Sequence, residues 1–165
     1  MMAALRLELS TFKPGHNRYE RVVAPEALEL PAETWPADLE VALDVDRIGD
    51  QFNITARVVT ESEEECARCL RRFTLPLDFP VHLYADRVGS GGRREEDLGE
   101  DDSLVFHDGR HVDLDEGVRE AALLARPMVP LCRPDCRGLC PRCGADWNEG
   151  PCPHAPSPSA AAGAE

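Results

Sequence analysis

The chain has 165 residues, 42% of them hydrophobic but only 5% aromatic, and a formal net charge of −13. That length suits one domain with a real core and room for a tail, though a core short of aromatic rings lacks some of the largest contributions to burial and would profit from cross-links. So acidic a chain is repelled by bulk nucleic acid unless its basic groups cluster. No apolar run approaches the roughly 20 residues that cross a bilayer, and the alternating stretch from Met1 to Ser10 is not an apolar signal segment.

The expectation is a cytoplasmic protein, for which a basic partner is the easier fit. Lys13 is the only lysine among 18 basic residues, which reads as arginine-favouring codon usage.

Leu5, Leu7 and Leu9 alternate with polar residues and predict a first strand. Residues 13–18 (Lys-Pro-Gly-His-Asn-Arg) read as a loop. Leu39, Val41, Leu43 and Val45, then Phe52, Ile54, Ala56 and Val58, predict a hairpin turning at Gly49-Asp50. A third alternating run goes from Phe73 to Leu83. Its Pro76 and Pro80 have the same parity, so both missing N–H groups fall on one side, which predicts an edge strand. Residues 89–102 are acidic, lack apolar periodicity and read as a mobile loop. A helix follows, with Asp113 as cap, Glu116 completing a capping box, Leu114, Val118, Ala121, Ala122 and Ala125 on one face, and Pro127 as its stop. The fold class expected is α+β: mainly antiparallel β-sheet, one main helix and a C-terminal Cys-rich zinc-binding segment. One domain over 1–154 would include that segment at 127–154, with a disordered tail over 155–165.

The chemistry lies in the cysteines. Cys66-Ala-Arg-Cys69 joins two strand-like runs. Cys132, Cys136, Cys140 and Cys143 follow far along the chain, then Cys152-Pro-His154. In a reducing compartment close cysteine pairs bind metal more often than they form disulfides. Seven thiols and one imidazole make eight donors, the number that two tetrahedral Zn2+ ions require. The local assignment groups Cys66, Cys69, Cys132 and Cys136, and separately Cys140, Cys143, Cys152 and His154. Pairing Cys66 and Cys69 with Cys140 and Cys143, as in a zinc ribbon, also fits the spacing and would leave Cys132, Cys136, Cys152 and His154 together. Gly138 and Gly144 fall where knuckle turns need freedom from a Cβ.

Other readings fit less well. A redox C-x-x-C belongs at a strand-to-helix junction, whereas strand-like runs flank Cys66 and Cys69 on both sides. Cys136-x3-Cys140-x2-Cys143 matches the cluster loop of S-adenosylmethionine radical enzymes, but those need a large barrel after it. His16, His82, His107 and His111 read as surface residues. No G-x-S-x-G, P-loop or H-E-x-x-H pattern occurs, and eight used donors leave no open metal position, so no catalytic residue is expected.

The C-x2-C after a hairpin, the helix opening at Asp113-Leu114, Pro-Met-Val-Pro-Leu-Cys132, Cys136-Arg-Gly-Leu-Cys-Pro-Arg-Cys-Gly144 and Trp147-Asn-Glu-Gly-Pro-Cys152 together resemble the bacterial and plastid YceD family. The resemblance runs from about Leu5 to His154. It implies a cytoplasmic, metal-binding role in ribosome biogenesis, supporting accumulation of large-subunit rRNA. It also implies a large-subunit precursor as partner, through rRNA or a basic ribosomal protein, with no membrane and no small-molecule substrate. Family members usually end in Cys-x-Cys where this chain has Cys152-Pro-His154; histidine also ligates zinc. Arg68, Arg71, Arg72, Arg137 and Arg142 lie beside the cysteines and could form a basic partner-binding face, or else offset thiolate charge. A zinc- or redox-responsive sensor and an RNA-processing metalloenzyme are the alternative functions.

Overall fold

The computed structural model describes residues 4–87 and 104–155. The chain divides into two compact units: Met1–Glu63 with Thr74–Arg126, and Glu64–Phe73 with Pro127–Glu165. The expected mobile loop at 89–102 and nearly all of the expected tail lie outside the described residues.

The first unit is built on strands β1 (Arg6–Glu8), β2 (Gly15–Val23), β3 (Leu39–Ile48), β4 (Gln51–Glu65), β5 (Arg72–Arg87), β6 (Leu104–His107) and β7 (His111–Asp113), followed by helix α1 (Asp115–Ala125). The outer ends of β4 and β5 belong to the second unit. Five strands form one sheet in the order β2-β3-β4-β5-β6, and β1 pairs with β7 in a second. The β3–β4 hairpin closes with Ile48 opposite Gln51, and Gly49 takes the positive φ of 65° that the tight turn demands. Alternate residues of β3 (Leu39, Val41, Leu43, Val45) and β4 (Phe52, Ile54, Ala56, Val58) are all buried, as period-2 patterning requires of a one-faced sheet. Leu77, Phe79, Val81, Leu83 and Ala85 of β5 continue that core, joined by Leu114 just before α1 and by Val118 and Ala122 within it.

Four expectations are corrected. Residues 15–18 are not loop but the start of β2, which pairs antiparallel with β3 from Gly15↔Arg47 to Val23↔Leu39. Nearly every β2 side chain before Val23 is exposed or half-buried, so backbone pairing defines this strand and hydropathy does not mark it. Secondly, β5 is not an edge strand throughout: β6 pairs with it in parallel over Tyr84–Arg87. The sixteen residues between Arg87 and Leu104 are enough for the crossover that a parallel pair needs.

The third correction concerns the helix start. The N-cap is Leu114, with no side-chain cap; the Asp113 carboxylate instead accepts the Asp115 N–H at 3.0 Å. Asp115 turns its own carboxylate to the chain start, accepting the N–H groups of Ala4 at 2.9 Å and Leu5 at 2.6 Å. Finally, His107 is a core residue and not a surface one. It is 3% exposed and stacks edge-on against Phe52, with ring centroids 5.4 Å apart. Its Nδ1 accepts the Gly109 N–H, and its Nε2 then donates to the Asp50 carbonyl, which fixes one neutral tautomer.

Replacing Asp115 by Ala removes the acceptor for two backbone N–H groups. Urea unfolding monitored by circular dichroism should show a loss of about 1–3 kcal/mol; an unchanged midpoint would mean that water replaces the carboxylate fully.

Candidate metal centre

The second unit begins where β4 ends. The chain turns through Cys66-Ala67-Arg68-Cys69 and re-enters β5, with the Cys66 N–H donating to the Arg71 carbonyl at 2.9 Å and the Leu70 N–H to the Cys66 carbonyl at 2.9 Å. Leu70 adopts φ 59°, a left-handed conformation uncommon for a side-chain-bearing residue. The Ala67 N–H donates to the Pro130 carbonyl at 2.8 Å, so the segment preceding Cys132 lies against the knuckle.

Cys66 Sγ lies 3.7 Å from Cys136 Sγ, and Cys69 Sγ 3.6 Å from Cys132 Sγ. Donor atoms of all four fall within 4.8 Å of one another. These separations are far too long for a disulfide, at about 2.05 Å. They match the roughly 3.8 Å edge of a sulfur tetrahedron with metal–sulfur bonds of about 2.3 Å. Cys66, Cys69 and Cys136 are buried, packed with Phe73, Leu131, Cys132 and Leu139.

The second set is Cys140, Cys143, Cys152 and His154, its donor atoms likewise within 4.8 Å of one another. A small hairpin builds it. The Cys140 N–H donates to the Ala145 carbonyl and the Gly144 N–H to the Cys140 carbonyl, with Leu139 bridged to Asp146. Gly144 has φ 73° and Gly138 φ 77°. At Gly138 a Cβ would also come within 3.0 Å of the Arg68 carbonyl oxygen, so two constraints demand glycine there. Cys140 is buried, Cys152 half-buried, and Cys143 and His154 are exposed. These are the two groupings of the local assignment; the ribbon-type pairing of Cys66 and Cys69 with Cys140 and Cys143 is not among them. His16, His82, His107 and His111 join neither group.

Crowded thiols titrate unequally. Burial pushes Cys66 up, but the N–H groups of Cys132, Cys69 and Arg68 outweigh it and bring that thiol down to about 6. Cys132 is pushed up to about 12, first by burial and then by the surrounding sulfurs. In the second set the Trp147 indole N–H leads in drawing Cys152 down to about 6. Cys143 is raised, the Ala145 N–H being outweighed by the Cys140 sulfur, burial and Cys152. Each set thus holds some thiolate but cannot ionise throughout without a cation. A divalent metal resolves that conflict by binding thiolates and releasing their protons. The donor sets fit such an ion.

The arginines are placed differently from one another. Arg68 Nη1 donates to the Cys136 carbonyl at 2.8 Å. Arg71 lies 3.6 Å from Asp146 and 3.7 Å from Glu149. The side chains of Arg72, Arg137 and Arg142 are exposed. Sequence reasoning assigned no role to Asp146, Trp147 and Asn148, which hydrogen-bond around the cysteines; Trp147 and Asn148 entered it only as part of the motif Trp147-Asn-Glu-Gly-Pro-Cys152.

The geometry defines a class: a predominantly antiparallel α+β protein carrying a cysteine-rich unit able to hold two metal ions. The chain belongs to the YceD family, described as "Large ribosomal RNA subunit accumulation protein YceD", which matches residues 54–162 and so spans both donor sets. It is 32% identical over 123 residues to the uncharacterized protein Rv2926c of Mycobacterium tuberculosis and to Mb2951c of Mycobacterium bovis, covering 71% of this chain and 55% of each relative. ML1660 of Mycobacterium leprae is 28% identical over the same length, covering 52% of that protein. The chain spans about half the length of the curated relatives it matches. No solved structure matches it. Among the described residues no helix is long and apolar enough to cross a membrane.

Gly138→Ala should strain the turn beside Cys136 and Cys140. Zinc taken up by the purified variant, measured by elemental mass spectrometry against a chelator, should be held more weakly. Equal retention would show that the turn can shift without cost.

Proposed function

We propose that this chain is a zinc-stabilised, non-catalytic binding protein of the bacterial cytoplasm. It acts in large-subunit assembly, supporting large-subunit rRNA accumulation through contact with a precursor particle, by way of rRNA or a basic ribosomal protein. The observation that carries the reading is that all eight donors fall into two sets of four. A catalytic zinc keeps a coordination position for water or substrate, and a set of four protein donors leaves none. Tetrahedral thiolate and imidazole sets suit zinc best. The family's description supplies the link to large-subunit rRNA.

Charge distribution supports the cysteine unit as the contact surface. Before metal binds, its six arginines balance its six acidic residues and the formal −13 falls on the other unit; seven thiolates around two Zn2+ then add only about −3 to the cysteine unit. Arg71 already faces Asp146 and Glu149, Arg133 lies 3.6 Å from Asp135 and Arg68 bonds the Cys136 carbonyl, which leaves Arg72, Arg137 and Arg142 as the outward cations. Arg72→Glu with Arg142→Glu should lower co-sedimentation of the full chain with large-subunit precursors while zinc content stays unchanged. Undiminished co-sedimentation would remove these arginines from the interface.

A sensor is the second reading, favoured by the exposure of Cys143 and His154 in the second set. Thiolates that solvent reaches are the ones oxidants attack. Under mild peroxide a sensor should lose one zinc per chain, from the exposed set first, and regain it on reduction. Retention of both ions would leave the structural role standing alone.

A further inference from the structure

We propose that Asn148, held by Asp146 and Arg71, couples the two metal groups, so that filling the Cys140–His154 set tightens the Cys66–Cys136 set. This inference rests on both sets binding metal.

The hydrogen bonds around Asn148 fix its role. Its Oδ1 accepts the Arg137 N–H at 2.8 Å. Since a backbone N–H can only donate, that bond settles which amide atom is oxygen. Nδ2 must then face the other way, where it donates to Cys136 Sγ at 3.5 Å and to Asp146 Oδ1 at 2.7 Å. Asp146 Oδ1 also accepts the Asn148 N–H at 2.8 Å, while Asp146 Oδ2 lies 3.6 Å from Arg71, which follows the first knuckle. Asp146 therefore sets the plane of the Asn148 amide, and Arg71 steadies Asp146.

The neighbouring Trp147 faces the other group. Its indole N–H donates to Cys152 Sγ at 3.3 Å, and its backbone N–H to the Gly138 carbonyl at 2.9 Å. Two consecutive residues thus each donate to a sulfur, one in each set. An N–H aimed at a metal-bound thiolate draws off negative charge and fixes the ligand's orientation.

Both residues lie in the loop between Cys143 and Cys152, two ligands of the second set. A metal bound there ties the two ends of that loop together. The loop then holds Asn148 against Cys136, so the first set gains a donor already in place and need not order it on binding. Linkage makes the effect reciprocal: a metal in the first set tightens the second by the same factor.

The test uses the full chain, titrated with cobalt(II) and with zinc(II) against a chelator. An all-sulfur set and one with an imidazole give cobalt spectra that can be told apart. Three variants are compared with the parent: Cys140→Ser with Cys143→Ser, Asn148→Ala, and all three substitutions together. The all-sulfur set should weaken about 10- to 100-fold in the first, by a similar factor in the second, and no further in the third. Full retention of affinity in the cysteine variant overturns the coupling; so do losses that multiply in the combined variant, since Asn148 would then not be the route. Asn148→Ala keeps all eight ligands and stands alone if the cysteine variant fails to fold; unchanged cobalt affinity there also overturns the proposal. Fewer than two ions in the parent would instead sink the metal reading on which the coupling rests.

Discussion

Four thiols brought to van der Waals contact cannot all carry charge unless a cation sits among them. Cys66, at about 6, and Cys132, at about 12, display that conflict within one cluster. Backbone N–H groups stabilise one thiolate, and its presence and the burial around it keep its neighbour protonated. The segments that carry these sulfurs have little regular hydrogen bonding of their own. The described part of the second unit has strand only at the ends of β4 and β5, plus the single Leu139–Asp146 bridge. A metal bound by the sulfurs would therefore add to its order, as in small domains whose metal binding supplies the folding free energy.

The first unit solves a different problem. It buries aliphatic side chains in a sheet with very few aromatic rings, and Phe12, Phe52 and Tyr19 are gathered at one place. His107 completes that group as a neutral ring satisfied at both nitrogens. The acidic side chains of β3 and β5 are exposed or half-buried, on positions that alternate with the core residues, so these strands carry charge without burying it uncompensated. Arg57 and Asp78 form an ion pair on that exposed face; being open to water, it adds little stability.

The division of labour bears on function. A sheet unit that carries −13 would be held away from polyanions, while the cysteine unit, far less charged even with metal-bound thiolates, presents outward arginines. In the second unit the arginines differ in their surroundings. Arg68 and Arg71 hold the knuckle to the segments around Cys136 and Asp146, which is structural work that clustering in the sequence cannot distinguish from partner binding.

Alternation and turn chemistry are local, so the residues alone determined β1, the β3–β4 hairpin at Gly49-Asp50, the inward face of β5 and the body of α1, and they singled out the eight candidate donors. Tertiary structure decided what hydropathy does not mark. β2 exists because its backbone pairs with β3, although its side chains remain largely in water. β6 lies parallel to β5, a pairing between segments distant in sequence that local alternation does not encode. His107 is buried because Phe52, Asp50 and Gly109 converge on it from separate elements. Spacing allowed two groupings of the cysteines. The fold gathers Cys66 and Cys69 with Cys132 and Cys136, because the Ala67 N–H to Pro130 bond lays the later segment across the first knuckle. Which sulfurs meet is a matter of distance in space between residues more than sixty apart in sequence, and no local pattern encodes that distance.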